Sequence, residues 1–104
     1  MCAIIRHMFY TYVLKGSSNP KYYIGYTSDL RKRLHQHNAG ETISTRRGRP
    51  WQLVYYEAYA DEQNARDREH KFKQRGKLWQ ELRKRLENTI VHKKVLGNGV
   101  PIEE

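Results

Sequence analysis

Phe9-Tyr10-Thr11-Tyr12-Val13-Leu14 is followed, across Gly16-Ser17-Ser18-Asn19-Pro20, by Lys21-Tyr22-Tyr23-Ile24-Gly25-Tyr26-Thr27. The outer segments are dense in aromatic and β-branched side chains, which suit a pleated, half-buried surface. The segment between them has turn chemistry. So short a gap predicts an antiparallel hairpin. Alternation places Tyr10, Tyr12 and Leu14 on one face of the first strand. It divides the second strand into Tyr23, Gly25 and Thr27 on one face and Tyr22, Ile24 and Tyr26 on the other. Glycine weakens a strand interior, so Gly25 predicts a bulge or the close approach of another group.

Beyond the hairpin, Ser28 or Asp29 is suited to cap a helix running to about Asn38. Leu30, Arg33, Leu34 and His37 fall at i, i+3, i+4 and i+7 and share one face. The leucines anchor that face, with Arg33 and His37 near its edge, and Asn38-Ala39-Gly40 ends the helix. Glu41 to Pro50 reads as a loop and Trp51 to Tyr56 as a third strand. Asp61 caps a second helix to about Arg75, with Ala65, Glu69 and Phe72 inward, and Gly76 breaks it. Lys77 to Leu86 forms a third helix, with Leu78, Leu82 and Leu86 at i, i+4 and i+8. The order β-β-α-β-α-α predicts an α/β fold: a small three-stranded, mostly antiparallel sheet flanked by helices. Residues 1–7 read as a leader and 88–104 as a C-terminal tail, in which Val95 to Val100 is a turn with short flanking strands or simply tail.

The 104 residues are enough for one domain with a modest core. Lys plus Arg is 20 and Asp plus Glu is 11, a formal charge of +9. In 88–104, Lys93 and Lys94 balance Glu103 and Glu104, so the whole excess lies in 1–87. A basic domain with eight tyrosines points to a polyanion, most often nucleic acid. Cys2 is the only cysteine, which rules out a disulfide within the chain and suits a reducing cytoplasm. No apolar run approaches the roughly 20 residues of a membrane span. Met1 to His7 is too short for the apolar core of a signal peptide.

Tyr12, Tyr23, Arg33, His37 and Glu69 are the parts needed to cut a phosphodiester with one metal ion. Each has a plainer explanation when taken singly. A strand tyrosine is usually packing, and Arg33 alone is a solvated helix charge. His37 alone is a helix-end residue satisfied by its own backbone, and Glu69 pairs most simply with Arg66 or Lys73 at helical spacing. Their order and spacing carry the functional reading. Together they resemble the GIY-YIG nuclease family, in the compact single-domain branch, over residues 8–87. That family includes excision-repair incision subunits, whose N-terminal domains the chain resembles, homing endonucleases and junction-cutting nucleases.

The resemblance implies an α/β domain with a central three-stranded antiparallel sheet, metal-assisted cleavage of DNA phosphodiesters and a setting in DNA repair. It implies that the Tyr12 and Tyr23 hydroxyls flank the scissile phosphate, one of them helping to orient or deprotonate the attacking water. Arg33 would contact the phosphate, Glu69 would be the single carboxylate ligand of the metal, and His37 matches a histidine common in the family. Chemistry is compatible with these roles. Tyrosine titrates near ~10 and is a poor base at neutral pH unless a cation such as Arg33 or Mg²⁺ lowers that value. Arg33 can donate a bidentate pair to phosphate oxygens. Mg²⁺ retains several waters and takes one or two carboxylates plus substrate phosphate, so a lone glutamate suffices. The chain departs from the family at Tyr10 and Thr11, which replace the glycine and isoleucine of the first motif. Many members also carry an asparagine beyond the metal glutamate; here Glu81 stands nearest that distance, and no asparagine appears between Glu69 and Asn88. His7, His35, His70 and His92 show no metal-ligand pattern.

Arg46, Arg47 and Arg49, in the loop from Ser44, join Arg31 and Lys32 as a clamp for the nucleic-acid backbone on one side. Lys71 and Lys73, with Arg66, Arg68, Arg75 and Lys77, form the other. Such contacts position a duplex without reading its sequence. The expectation is a cytoplasmic, divalent-metal-dependent DNA endonuclease using Mg²⁺ or Mn²⁺, with low sequence specificity or a preference for a DNA structure. No organic cofactor, membrane or protein partner is indicated. The alternative is a non-catalytic nucleic-acid-binding module on the same fold; an RNA-directed protein is the third reading.

Overall fold

The computed structural model describes residues 7–17 and 21–96. Its elements are β1 (Phe9–Gly16), β2 (Tyr22–Thr27), α1 (Leu30–Asn38), a 3-10 segment (Ile43–Gly48), β3 (Trp51–Tyr59), α2 (Glu62–Lys73) and α3 (Lys77–Leu96). The sheet order is β2-β1-β3, with β1 antiparallel to both neighbours. The expected α/β fold and element order are therefore present.

The middle position of β1 explains the burial of Thr11 through Leu14 without alternation: both faces of the strand are covered. On one face Tyr12, Leu14 and Trp51 pack with Tyr23, Leu53 and the α1 residues Leu30 and Leu34. On the other, Val13 and Ile24 pack with Phe72 of α2 and with Trp79, Leu82 and Leu86 of α3. The sheet thus separates α1 from the α2–α3 pair. Thr11, on the α2 side, satisfies its buried hydroxyl by donating to the Ala65 carbonyl at 2.7 Å.

Asp29 caps α1 by accepting from the Lys32 amide, and Asp61 caps α2 by accepting from the Gln63 amide. Gly40, at φ +81°, closes α1 in the left-handed region that favours glycine. At the end of α2 that conformation falls on Arg75 (φ 59°) rather than on Gly76. The Arg75 guanidinium lies 5.0 Å from the Trp79 ring centre, a contact that offsets part of the cost.

Three expectations need correction. The buried stripe of α3 is Trp79, Leu82 and Leu86, while Leu78 is 38% exposed. An i, i+3, i+7 stripe wins because the Trp79 indole packs edge-on against both Tyr22 and Phe72. α3 also continues through Leu96, so its backbone enters the expected tail. The loop before β3 contains a 3-10 turn, and β3 runs on to Tyr59, where Glu57 accepts from Tyr55, Tyr59 and Arg68. The expected leader, apart from His7, and most of the expected turn at 95–100 lie outside the described residues.

Candidate active site

The site begins with a glycine. Tyr12 and Gly25 are cross-strand partners, so the tyrosine ring lies across a position without a side chain. A Cβ on Gly25 would stand 2.5 Å from the Tyr12 hydroxyl oxygen and 2.7 Å from Cζ. Close approach is thus the reason for a glycine inside β2, as the sequence suggested. Gly25→Ala is expected to displace the Tyr12 hydroxyl and cost about 1–3 kcal/mol from overpacking, read as a lowered urea midpoint.

Around that hydroxyl the side chains form a directional chain. His37, fully buried on α1, lies with Nε2 3.0 Å from the Tyr12 hydroxyl and Nδ1 2.8 Å from Thr45 Oγ1. The Thr45 hydroxyl donates its proton to the Thr42 carbonyl at 3.3 Å. It therefore accepts from Nδ1–H, which leaves a lone pair on Nε2 for the Tyr12 proton. Burial, assisted by the Arg33 charge, lowers the His37 pKa to about 4, so the ring is neutral at neutral pH. His37 is not an edge residue satisfied by its own backbone, because its helix face turns it into the sheet.

Arg33 approaches the same phenol from the other side. Its Nε–H donates to the Tyr12 oxygen at 3.4 Å, and Nη1 donates to Gln36 Oε1 at 3.1 Å. Hydrogen bonds to Tyr12, and more weakly to Tyr23, hold the guanidinium more firmly protonated. Arg33 also borders an open groove of about 530 Å³ shared with Tyr26, Lys32 and Gln36. Arg33 does pull the Tyr12 pKa down, as the sequence suggested, but it does not win. Burial outweighs the arginine and pushes the phenol up to about 12. Tyr23 lies on the same face, its ring edge-on to His37 at 4.8 Å and 6.3 Å from Tyr12.

Glu69, on α2, pairs with Lys73 at 2.7 Å, and its side chain is 21% exposed. Its charge reaches both Tyr12 and Tyr26, where it raises the phenol pKa. Among the described residues no three His, Cys, Asp or Glu side chains gather to hold a metal. As a ligand Glu69 would need water and phosphate to complete it, a donor set that fits Mg²⁺ or Mn²⁺.

The basic residues divide by what they already touch. Arg31, Lys32 and Lys71 are exposed on their helices. Arg46 Nε donates to the Gly40 carbonyl and Arg49 Nε to the Arg46 carbonyl, so the exposed Arg46, Arg47 and Arg49 are carried on a segment held by its own backbone, with Gly48 buried among them. Arg68 corrects the expected clamp: Nε and Nη2, one edge of its guanidinium, donate to the two Glu57 carboxylate oxygens at 2.8 and 3.1 Å, and the group lies over the Phe72 ring. Three supports had escaped sequence reading. Thr45 orients His37, Gln36 orients Arg33, and the Asn38 amide grips Trp51 through its backbone N–H and C=O. Only Gln36 left a trace, its i+3 spacing from Arg33.

The family model described as GIY-YIG catalytic domain matches residues 8–88. The chain belongs to the GIY-YIG family. Relatives of this GIY-YIG domain include the UPF0213 protein of Bacillus pumilus, 44% identical over 69 residues that make up 65% of this chain and 69% of the relative. The UPF0213 protein of Haloquadratum walsbyi is 42% identical over 62% of this chain and 72% of its own length. That of Streptococcus pyogenes serotype M5 is 42% identical over 70% and 79%. No solved structure matches the chain significantly. The GIY-YIG family is a nuclease family, so membership implies nucleic acid as substrate. No helix among the described residues is long and apolar enough to cross a membrane.

Proposed function

We propose that the chain is a divalent-metal-dependent endonuclease that hydrolyses DNA phosphodiester bonds in a reducing cytoplasm, in DNA repair. It has low sequence specificity or prefers a DNA structure. The observation that supports this best is the buried Thr45–His37–Tyr12 chain of hydrogen bonds, which ends on a phenol beside Arg33.

In this reading Arg33 meets the phosphate and stabilises the charge that grows on its oxygens. The Tyr12 proton points at His37, so the phenol oxygen has a lone pair to offer an attacking water. As the water gives a proton to that oxygen, Tyr12 passes its own proton to His37 Nε2. The hydroxide electron pair forms the new P–O bond, and the departing P–O bond breaks. His37, with its lowered pKa, holds the proton only briefly and returns it to Tyr12 as the phenol releases a proton toward the leaving oxygen, which keeps the electron pair of the broken P–O bond. Tyr23 packs against His37 and Tyr12 and keeps their rings in place. Glu69 would hold the divalent ion, which when bound supplies Lewis acidity to the phosphate and the leaving oxygen. Arg46, Arg47 and Arg49, with Arg31, Lys32, Lys71 and Lys73, position the DNA backbone.

One observation favours the binding-module alternative: Glu69 already has a cationic partner in Lys73. Purified protein incubated with plasmid, single-stranded, flap and junction DNA separates the two readings. Nicking that requires Mg²⁺ or Mn²⁺ and stops with EDTA is expected. Binding without nicking on every DNA form replaces the endonuclease with the module.

A further inference from the structure

The pairing of β1 with β3 places an unassigned aromatic ring beside the site. Tyr12 is the cross-strand partner of Tyr56, and Tyr10 is the partner of Ala58. Direct partners share a sheet face with Cβ atoms ~5 Å apart, and alternation puts Tyr10 on the Tyr12 face. Tyr56 is thus the next ring after Tyr12 along the sheet. Yet Tyr12 is 2% exposed and Tyr56 is 52% exposed. The Tyr56 ring meets Tyr10 edge-on, at 5.8 Å and 71°, which fixes its tilt while half its surface stays in solvent. Exposed Ala58 keeps the neighbouring position low.

We propose that Tyr56, supported by Tyr10, is a stacking platform for an unpaired nucleobase next to the phosphate held at Arg33 and Tyr12. The proposal rests on the nuclease reading and names its substrate class: DNA with at least one unpaired nucleotide at the cut, as in a single strand, a flap or a frayed end. Charge selects the occupant. A solvent-facing aromatic ring one strand from Tyr12, in a domain of formal charge +9, suits a ligand with both an aromatic face and an anionic link. A base inside a duplex has its faces already stacked, so only an unpaired one can use the ring. Every base has such a face, so the contact adds affinity without reading sequence.

The test measures binding in EDTA, where turnover is not required. Two probes carry the fluorescent base 2-aminopurine, one a single-stranded oligonucleotide and the other a blunt duplex of the same sequence. Tyr56→Ala is expected to weaken single-strand binding about tenfold or more, to abolish the quenching that stacking causes, and to leave duplex affinity within about twofold. Tyr56→Phe and Tyr56→Trp should retain both signals, because a ring is required and a hydroxyl is not. An unchanged single-strand affinity in Tyr56→Ala overturns the proposal and leaves the ring to a protein partner. Equal loss on duplex, or no binding of single strands by the parent, overturns it too. A parent that nicks no DNA but still shows the ring-dependent quenching refutes the nuclease reading and leaves the platform standing.

Discussion

Glu69→Gln is expected to lower cleavage by roughly a thousandfold, about 4 kcal/mol in the barrier, while the protein remains folded and binds DNA as tightly as the parent or more so. The substitution keeps side-chain volume and removes the charge that would hold the divalent ion in the proposed mechanism. Its immediate structural effect is to release Lys73, which now spends its charge on the carboxylate. The freed ammonium lies on an exposed helix face and adds to phosphate attraction, so affinity should not fall. Arg33→Ala should behave differently, losing cleavage and some affinity together, because the guanidinium also meets the ground-state phosphate. Plasmid nicking rates and salt titrations of binding check both variants. A Glu69→Gln protein that nicks as fast as the parent removes the metal role from this residue.

His37 carries the second large effect. His37→Ala removes the partner of two buried hydroxyls and leaves a cavity, at a cost of about 2–5 kcal/mol, and cleavage should fall at least a hundredfold. The same residue makes stability depend on pH. Histidine titrates near ~6.5 in an unfolded chain, whereas burial, then the Arg33 charge, hold folded His37 at about 4. Between these values the unfolded chain binds the extra proton, so stability rises with pH across the window. It is fully present above the unfolded value, about 2 kcal/mol lower by pH 5, and lost as the pH passes through the folded one. Glu57, held below the usual carboxylate range despite its burial by bonds from Arg68, Tyr55 and Tyr59, makes its contribution at more acid pH. Urea midpoints at pH 7 and pH 5 should separate for the parent and converge for His37→Gln. Equal separation in both proteins would assign the dependence elsewhere.

The hairpin, the caps at Asp29 and Asp61 and the close approach of another group to Gly25 were legible because local chemistry and tertiary structure agree there. The wrong stripe on α3 arose from counting leucines. Leu78, Leu82 and Leu86 keep helical spacing, but the larger Trp79 has rings waiting for it on two other elements. The sequence also suggested that Tyr12, Tyr23, Arg33, His37 and Glu69 belong together; the side chains of the first four meet, whereas the contact Glu69 makes is with Lys73. Proton direction was hidden, because it depends on Thr45, a residue from a turn with no periodicity of its own. Arg68 was misjudged for a similar reason: its partner Glu57 stands across a sheet-to-helix gap that spacing along one helix cannot reveal.

Tyr12 sits on the middle strand, hydrogen-bonded along both edges and covered on both faces. Amides in such a strand exchange with solvent only when the whole domain opens. The Tyr12 phenol therefore has no local breathing motion of its own. In the proposed endonuclease, adjustment on binding would then fall to the DNA, which would bend, fray or turn out a nucleotide to bring its phosphate to a fixed point. The selectivity of such an enzyme would be measured in the stiffness of its substrate rather than in its letters.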